Sequence, residues 1–261
     1  MTNQPTPCRL LMDPPCDGAW NMAVDQALLE SVAKGAPPIW RFYQWAEPTL
    51  SLGYFQDYAD REKHPASRAC RIVRRASGGG AILHDAELTY SLALPADHPL
   101  AIGRLCLYCE VHRSLIEALT HLGVSEADLS MNSVKNATEN PFLCFQRRAE
   151  GDVLLGTTKI AGSAQRRVQG AVLQHGSILL RQSTVAPELK GIVDLSGVAV
   201  DADRLIEAWT QLLGDHLHLN FYPDPLSPGE QTRAEQLVRD RYGLDKWTQS
   251  RQKTGPGSDP N

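Results

Sequence analysis

Apolar side chains recur at helical spacing in four segments of the chain. In residues 17–35, Asp17 is placed to cap a helix and Gly35 to end it. Residues 105–123 and 202–217 follow the same apolar spacing. Residues 227–243 begin with a Ser-Pro-Gly-Glu sequence that is typical of a capping box. These four segments predict helices.

The remaining apolar segments have the short, aromatic or β-branched composition of strands. Residues 38–45 and 49–55 predict two strands, and three shorter ones follow between residues 70 and 94. Residues 151–180 contain strand-like patches separated by turn residues, which is typical of an antiparallel meander. Strands follow strands, with helices before, between and after them. The pattern therefore predicts an α+β domain with a mixed or largely antiparallel sheet flanked by helices, and it disfavours a doubly wound fold.

Polar segments set the expected domain boundaries. Residues 1–8 and 249–261 are polar and contain several Pro or Gly residues, so we expect both ends to be disordered around a single domain at 9–248. Residues 125–141 form a long polar stretch that predicts a loop. Long loops without regular structure are often functional in compact domains.

Composition and charge narrow the class of protein. Hydrophobic residues make up 42% of the 261 positions, enough to fill a core, and the net charge of −4 argues against a nucleic-acid-binding protein. No signal peptide and no apolar run of membrane-spanning length is visible, so we expect a cytoplasmic protein without membrane contact. Six scattered cysteines are then expected to be reduced thiols. No heptad or apolar stripe indicates self-association, so we expect a monomer.

The sequence RRASGGGAILHD, at residues 74–85, is the most unusual local feature. Glycines let a ligand approach the main chain and its N–H donors. Arg74 and Arg75 could bind a carboxylate, a phosphate or an acidic partner. A glycine-rich hairpin beside surface arginines would give the same sequence, and this alternative stays open. The spacing matches neither a dinucleotide fingerprint nor a P-loop, and a strand follows where those motifs need a helix.

The longer segment 74–91 resembles the motif of the lipoate–protein ligase and octanoyltransferase family, which attaches lipoyl or octanoyl groups to a lysine of carrier domains. Residues 17–30, 40–56 and 158–180 resemble other segments of that family in the same order, so the resemblance spans about residues 9–185. It implies the biotin–lipoate ligase fold, in which the glycine loop and a lysine-containing strand line a tunnel for the acyl chain.

Two chemistries occur in this family, and the resemblance implies a choice between them. Lys159 matches the family lysine, and Cys144, in NPFLCF, resembles the cysteine segment of the LipM-type octanoyltransferases. We therefore expect octanoyl transfer from acyl carrier protein, through a Cys144 thioester, to a lipoyl-carrier protein such as the glycine cleavage H protein, without a cofactor. The glycines at 78–80 agree instead with the ATP- and Mg-dependent ligases, which remain the alternative.

Two further alternatives belong to the same family. A non-catalytic lipoyl-binding protein is disfavoured because both Cys144 and Lys159 are present in matching segments. A biotin ligase is disfavoured because SGGG replaces the arginine-rich glycine loop expected there.

The chemistry of a thioester relay assigns roles to these residues. A thiolate exchanges one thioester for another without ATP, and a nearby ammonium stabilises it. Neutral Lys159 could accept the proton of an attacking amine. The N–H groups of Gly162 and Ser163, or those of residues 78–80, could stabilise the oxyanion, and the sequence does not choose between them.

Other candidates follow from their neighbourhood in these motifs. The residues expected to line the substrate site are Arg74, Arg75, Ser77, Gly78, Gly79, Gly80, His84, Gly162, Ser163, Gln165 and His175. Arg147, Arg148, Arg166 and Arg167 are expected to dock an acidic carrier protein. Cys106, Cys109 and His112 supply half of a zinc-binding pattern without a second half, so no metal site is predicted.

Overall fold

The computed structural model describes residues 4–131 and 141–252, without the side chains of residues 104–106. The strands are β1 (Thr6–Met12), β2 (Ile39–Tyr43), β3 (Thr49–Leu52), β4 (Arg71–Arg74), β5 (Ile82–His84), β6 (Glu87–Pro95), β7 (Ala127–Leu129), β8 (Val153–Leu155), β9 (Thr158–Val168), β10 (Ala171–Leu179) and β11 (Leu219–Pro223). The helices are α1 (Gly18–Ala33), α2 (Arg104–His121), α3 (Ile192–Ser196), α4 (Ala202–Leu217), α5 (Pro228–Leu237) and α6 (Asp245–Ser250).

Eight of these strands form one mixed sheet in the order β11-β1-β2-β6-β10-β9-β8-β7. The pairs β11–β1 and β1–β2 are parallel, and every pair from β2 to β7 is antiparallel. A smaller sheet, β4-β3-β5, holds the segments on either side of the glycine run. This is the α+β architecture with a mixed sheet that the sequence predicts, and the meander at 151–180 is confirmed as β8, β9 and β10.

Both faces of the large sheet are buried, and alternate residues of β2 show why. Trp40 and Phe42 enter the core cluster that contains the apolar residues of α2 and α4, whereas Ile39 and Tyr43 enter the cluster that contains those of α1 and α5. Successive side chains of a strand point to opposite faces, so one strand supplies both cores. Trp40 stacks on Tyr90 of β6 with ring centroids 5.0 Å apart. Helices therefore pack against both faces of the large sheet and hold its central strands in place.

The first helix begins and ends close to its predicted limits. The Asp17 side chain accepts from the N–H of Trp20 at 2.8 Å, as expected of an N-cap, and the helix ends at Ala33, two residues before Gly35. The helix predicted at 227–243 is interrupted: α5 ends at Leu237 and a π-helical turn follows at Val238–Tyr242. None of the described helices is long and apolar enough to cross a bilayer.

Three strands and the short helices α3 and α6 lie where no regular structure is predicted. Strand β1 starts at Thr6, inside the terminus expected to be disordered, because Cys8 is fully buried between β11 and β2. Strand β7 lies inside the predicted loop 125–141, of which 132–140 falls outside the described residues. Strand β11 was not predicted at all, since its short polar sequence becomes extended through parallel pairing with β1. Of the tail expected to be disordered, Ser250 still belongs to α6, and residues 253–261 are not described.

A buried ion pair fastens the C-terminal helices to the sheet. Arg9 of β1 donates to both carboxylate oxygens of Glu230 in α5, at 2.7 and 2.9 Å. Burial would raise the pKa of Glu230, but the hydrogen bonds from Arg9 and from the N–H of Ser227 outweigh it and lower the pKa from 4.5 to about 2. A lowered carboxyl pKa stabilises the fold above the pKa of the unfolded chain, and this stabilisation is lost as the pH falls towards 2.

The Arg9–Glu230 pair predicts a pH-dependent effect of one substitution. At pH 6, Glu230→Gln should lower the free energy of unfolding, and at pH 3 the difference from the native chain should be smaller, because the unfolded state of the native chain has then taken up a proton at Glu230. Urea denaturation at both pH values measures this. Glu235→Gln, an exposed change on the same helix, is the control and should have little effect at either pH. A Glu230→Gln effect of equal size at both pH values would contradict the prediction.

Candidate active site

The glycine run packs against the main chain that carries Cys144. Cys144 begins a short 3-10 turn, Cys144–Gln146, and its N–H donates to the carbonyl of Ala81 at 2.7 Å. The N–H of Ala81 donates in return to the carbonyl of Phe142 at 3.0 Å. A Cβ at Gly80 would lie 3.1 Å from the Cα of Cys144 and 3.2 Å from its nitrogen, so a side chain there would push the two segments apart. Gly80 thus lets the two main-chain segments approach more closely than a residue with a side chain would.

Lys159 of β9 approaches the thiol of Cys144 across this junction. Its Nζ lies 3.8 Å from the Cys144 Sγ and 2.8 Å from Oδ2 of Asp152. Burial would lower the pKa of the Lys159 ammonium, but the negative charges of the Cys144 thiolate and the Asp152 carboxylate outweigh it and raise that pKa. Lys159 is therefore a cation at neutral pH, and a cation next to sulfur stabilises the reactive thiolate. The meeting of the two residues, which the sequence leaves open, is present in the structure.

Asp152 has no solvent exposure and is held by three donors. Besides Lys159, they are the N–H of Ala149 at 2.7 Å and the hydroxyl of Tyr108 at 2.6 Å. Burial and then the Asp152 carboxylate raise the pKa of Tyr108 well above 10, so this hydroxyl stays protonated and accepts, in turn, from the N–H of Ser163 at 3.0 Å. Tyr108 of α2 and Ser163 of β9 thus hold Asp152 in place, and Asp152 in turn holds the Lys159 ammonium. Sequence reasoning missed Asp152 and Tyr108, whose only signal is one acid before a buried strand and one tyrosine in a helix.

Arg74 and Arg75 are both buried and donate mainly to main-chain carbonyls. Arg74 is 1% exposed and donates to the carbonyls of Gly53, Gln56 and Thr248 at 3.0, 2.7 and 2.9 Å. Its guanidinium ties the glycine run to the loop after β3 and to α6. The Nε and Nη1 groups of Arg74 thus serve main-chain oxygens, and contact of Arg74 with a ligand stays a prediction.

Arg75 has a similar structural task on the other side of the run. It donates to the carbonyls of Ser51, Gly78 and Gly80 at 2.9, 2.8 and 2.6 Å. Burial lowers its pKa to about 10, which still leaves it charged at neutral pH. One edge of Arg75 also lines the cavity described next. It shapes the loop and contributes positive charge to the cavity wall at the same time.

A narrow cavity of about 50 Å³ opens beside the thiol and the ammonium. The predicted site residues that line it are Cys144, Lys159, Arg75, Gly78, Gly79, His84, Gly162, Ser163 and His175. Its apolar and aromatic walls, which the sequence did not single out, are Met22, Tyr43, Trp45, Ile82, Phe145 and Ala164. Of the other candidates, Ser77 lines a neighbouring cavity and Gly80 lies behind Cys144. Gln165 is not among the residues that line the cavity, and its side chain donates to that of Gln174 on the neighbouring strand at 2.8 Å.

The predicted residue His84 is held rigidly in the cavity wall. His84 bonds Glu87 at 2.6 Å and Ser51 at 2.8 Å, and its ring stacks on Trp45 with centroids 3.8 Å apart. Burial lowers the pKa of His84 despite the nearby Glu87 carboxylate. Both of its ring nitrogens are used within the protein, which leaves only its flat surface for a substrate.

Of the four arginines expected to dock a carrier, Arg167 is exposed and the others are partly buried. Arg147 donates to the carbonyl of Pro141 at 2.6 Å, Arg148 to that of Thr157, and Arg166 to that of Ala76 at 3.3 Å. Their role in docking stays a prediction, and Arg167 is the position where charge can be changed with the least effect on structure.

A thiol 3.8 Å from an ammonium, on the wall of a narrow and mainly apolar cavity, suits an enzyme of the acyl-transferring class. The chain belongs to the lipoyl protein ligase A/B catalytic domain family, whose family model matches residues 17–196. It is similar to octanoyltransferase LipM of Brevibacillus brevis, with 34% identity over 88% of this chain and 94% of that protein. Octanoyltransferase LipM of Moorella thermoacetica is also 34% identical, over 93% and 98% of the two chains.

Solved structures share the fold. A putative lipoate protein ligase from T. acidophilum with bound lipoic acid superimposes with a TM-score of 0.77 over 94% of this chain and all of that one, at 23% identity. Lipoate-protein ligase A bound with ATP gives a TM-score of 0.77 over 94% of this chain and 100% of that one, at 22% identity. At such identities the likeness concerns the fold, and the expected lipoate ligase type of domain is confirmed.

The contacts of Asp152 predict a large loss of stability on its neutralisation. Asp152→Asn leaves the buried Lys159 ammonium without its carboxylate, and breaking one partner of a buried pair should lower the free energy of unfolding by about 3 kcal/mol. Urea denaturation at pH 7 measures the change. Glu150→Gln, an exposed neutralisation two residues away, should change stability by less than about 0.5 kcal/mol. Equal effects of the two substitutions would contradict the assigned role of Asp152.

Proposed function

We propose that this protein is an octanoyltransferase of lipoate biosynthesis that passes an octanoyl group through a thioester on Cys144 to a lysine of a lipoyl-carrier protein. The observation that supports it best is the 3.8 Å approach of the Lys159 Nζ to the Cys144 Sγ on the wall of the narrow cavity. The octanoyltransferases to which the chain is similar over most of its length support the same activity.

The first half-reaction is a thioester exchange. The Cys144 thiolate attacks the carbonyl carbon of an octanoyl thioester, and the carbon–sulfur bond to the carrier breaks. The Lys159 ammonium, 3.8 Å from the Cys144 Sγ, is placed to give a proton to the departing carrier thiolate. The octanoyl group is then held as a thioester on Cys144, and Lys159 is neutral beside Asp152. Because one thioester replaces another, the step needs no ATP.

The second half-reaction restores the starting charges. The acceptor lysine attacks the Cys144 thioester as a neutral amine, and neutral Lys159 takes the proton that the new amide nitrogen loses. The Cys144 thiolate leaves beside an ammonium that can again stabilise it. Asp152, held by Tyr108 and Ala149, keeps Lys159 in place through both steps. Lys159 therefore acts as an acid and then as a base, and no proton is gained or lost over the cycle.

Main-chain donors for the oxyanion can be chosen by their existing contacts. The N–H of Ser163 is occupied by the Tyr108 hydroxyl. By contrast, no residue in ranges 4–131 and 141–252 accepts from the N–H of Gly78 or Gly79, and both glycines line the cavity. We assign the oxyanion to this pair of N–H groups, since preorganised donors of this kind stabilise charge that develops in the transition state.

The proposed donor is octanoyl-acyl carrier protein and the proposed acceptor a lipoyl domain, such as that of the glycine cleavage H protein. No metal or nucleotide takes part in the relay. An ATP-dependent ligase is the competing function, and its reaction would not require Cys144.

A direct test follows the acyl group on the enzyme. Incubation with octanoyl-acyl carrier protein should increase the mass of the protein by one octanoyl group, and Cys144→Ala should abolish the adduct. Cys70→Ala, which removes another partly exposed thiol, should retain it. In a parallel reaction, ATP and free lipoate are supplied with a lipoyl domain. Modification in that reaction by both the native chain and Cys144→Ala would refute the thioester relay in favour of the ligase.

Carrier docking gives a second test. Arg167→Glu should raise the KM for octanoyl-acyl carrier protein about threefold or more, with kcat nearly unchanged, because the exposed charge would steer an acidic carrier without touching the acyl group. Steady-state kinetics at low and high salt measure it, and the difference should shrink at high salt. Arg71→Glu, the same change at an exposed position of β4, is the control for net charge. Equal effects at both positions would contradict a docking role for Arg167.

A further inference from the structure

A second, larger cavity of about 570 Å³ lies next to the narrow cavity lined by Cys144 and Lys159, which we call the acyl cavity. Met22 of α1 and His175 of β10 line both cavities, so these two side chains form the partition between them. On the far side of the partition the second cavity follows α1 through Gln26, Leu29 and Ala33, which lie on one face of the helix. It ends at the exposed residues Lys34 and Gln169. We call it the helix-1 groove.

The acyl cavity is too small for its substrate in this structure. An apolar cavity of about 150 Å³ binds benzene, whereas the acyl cavity has only about 50 Å³. An eight-carbon chain whose carbonyl lies at Cys144 must therefore displace part of the wall. The part that moves decides where the distal carbons go.

The two partition residues differ in how firmly they are held. The ring of His175 is bonded on both sides, to Ser77 Oγ at 2.5 Å and to Asp25 Oδ2 at 3.2 Å. Asp25 is itself anchored by Arg41 at 2.9 Å and by the Tyr43 hydroxyl at 3.0 Å. The side chain of His175 is consequently held in one orientation.

Met22 is held by packing in the apolar cluster that contains Tyr43 and Trp45. Its unbranched thioether side chain has three rotatable bonds and adapts readily to different shapes. Met22 is therefore the movable half of the partition.

The groove behind Met22 offers apolar surface for a hydrocarbon chain. Leu29 and Ala33 of α1 face Val168 and Leu173 of the β9–β10 hairpin across it. Leu173 is two residues from His175 on the same strand face, which places it about 7 Å beyond the partition. A chain that passes Met22 would meet Leu173 next.

We infer that Met22 is the residue that sets acyl-chain length, and that the helix-1 groove receives the distal carbons of chains for which Met22 moves aside. The inference rests on the proposed acyl transfer and adds the determinant of its substrate range. Only the methionine opens the passage, because the histidine beside it is locked by Ser77 and Asp25.

Chain-length profiles of three variants test this inference. Rates of Cys144 acylation are measured by mass spectrometry with hexanoyl-, octanoyl-, decanoyl- and dodecanoyl-acyl carrier protein. Met22→Ala should raise the dodecanoyl-to-octanoyl rate ratio about tenfold, because the passage is then permanently open and more methylenes are buried. Met22→Phe should shift the preference towards hexanoyl. In Met22→Ala/Leu173→Trp the indole fills the groove behind the partition, and the ratio should return to near the native value.

A matched substitution of a methionine that lines neither cavity is the control. Met12→Ala, the same substitution at a 59% exposed position, should leave the profile unchanged, and the melting temperature of each variant shows whether it is folded. An unchanged ratio in folded Met22→Ala, or a double variant that still prefers dodecanoyl, would overturn the inference.

If the native chain forms no octanoyl adduct, the proposed function fails by itself. Calorimetric affinities for free octanoate and dodecanoate then provide the test in the same variants. The dodecanoate-to-octanoate affinity ratio should rise in Met22→Ala and fall back in the double variant. The same ratio in all three proteins would overturn the role of Met22.

Discussion

The site depends on one close contact between two stretches of main chain. The N–H of Cys144 and that of Ala81 each donate to the opposite segment, and the lack of a side chain at Gly80 lets the two segments pack this closely. Cys144 lies on a three-residue turn, which by itself would not hold a thiol in a defined position. Docking that turn on the glycine run brings the sulfur to within 3.8 Å of the Lys159 Nζ, and the proposed relay and oxyanion donors both depend on this contact.

Buried charge is distributed around this contact so that each ionised group has a defined task. Arg74 and Arg75 stabilise the carbonyl-rich loops on both sides of the glycine run. Asp152 neutralises Lys159 and is in turn satisfied by Tyr108 and a main-chain N–H. An uncompensated charge at such depth costs several kcal/mol, so these partners are conditions for a buried ammonium. The two guanidinium groups beside the glycines thus mainly bind main-chain carbonyls. The ammonium of Lys159 is the cation that contacts the Cys144 sulfur.

Periodicity predicted the elements that bury a regular face. Helix α1, the β8–β10 meander and the α+β class follow from apolar spacing, since that spacing is what two packed layers require. Strands β1, β7 and β11 escaped prediction because their short, partly polar sequences become extended only through pairing with neighbours distant in the chain. The candidate pair Cys144 and Lys159 was available through the resemblance of whole segments. Asp152, Tyr108 and Met22 were not, because single residues in ordinary segments give no periodic or motif signal.

The sequence by itself determined the class of fold, the family and the two residues to which we assign its chemistry, because these reside in long segments whose pattern is local. Tertiary structure alone decided that the thiol reaches the ammonium, that Arg74 serves the backbone, and that Met22 and His175 separate two cavities. Each of these depends on distances between side chains far apart in the chain. Such distances result from packing many elements at once, and no local pattern of residues specifies them.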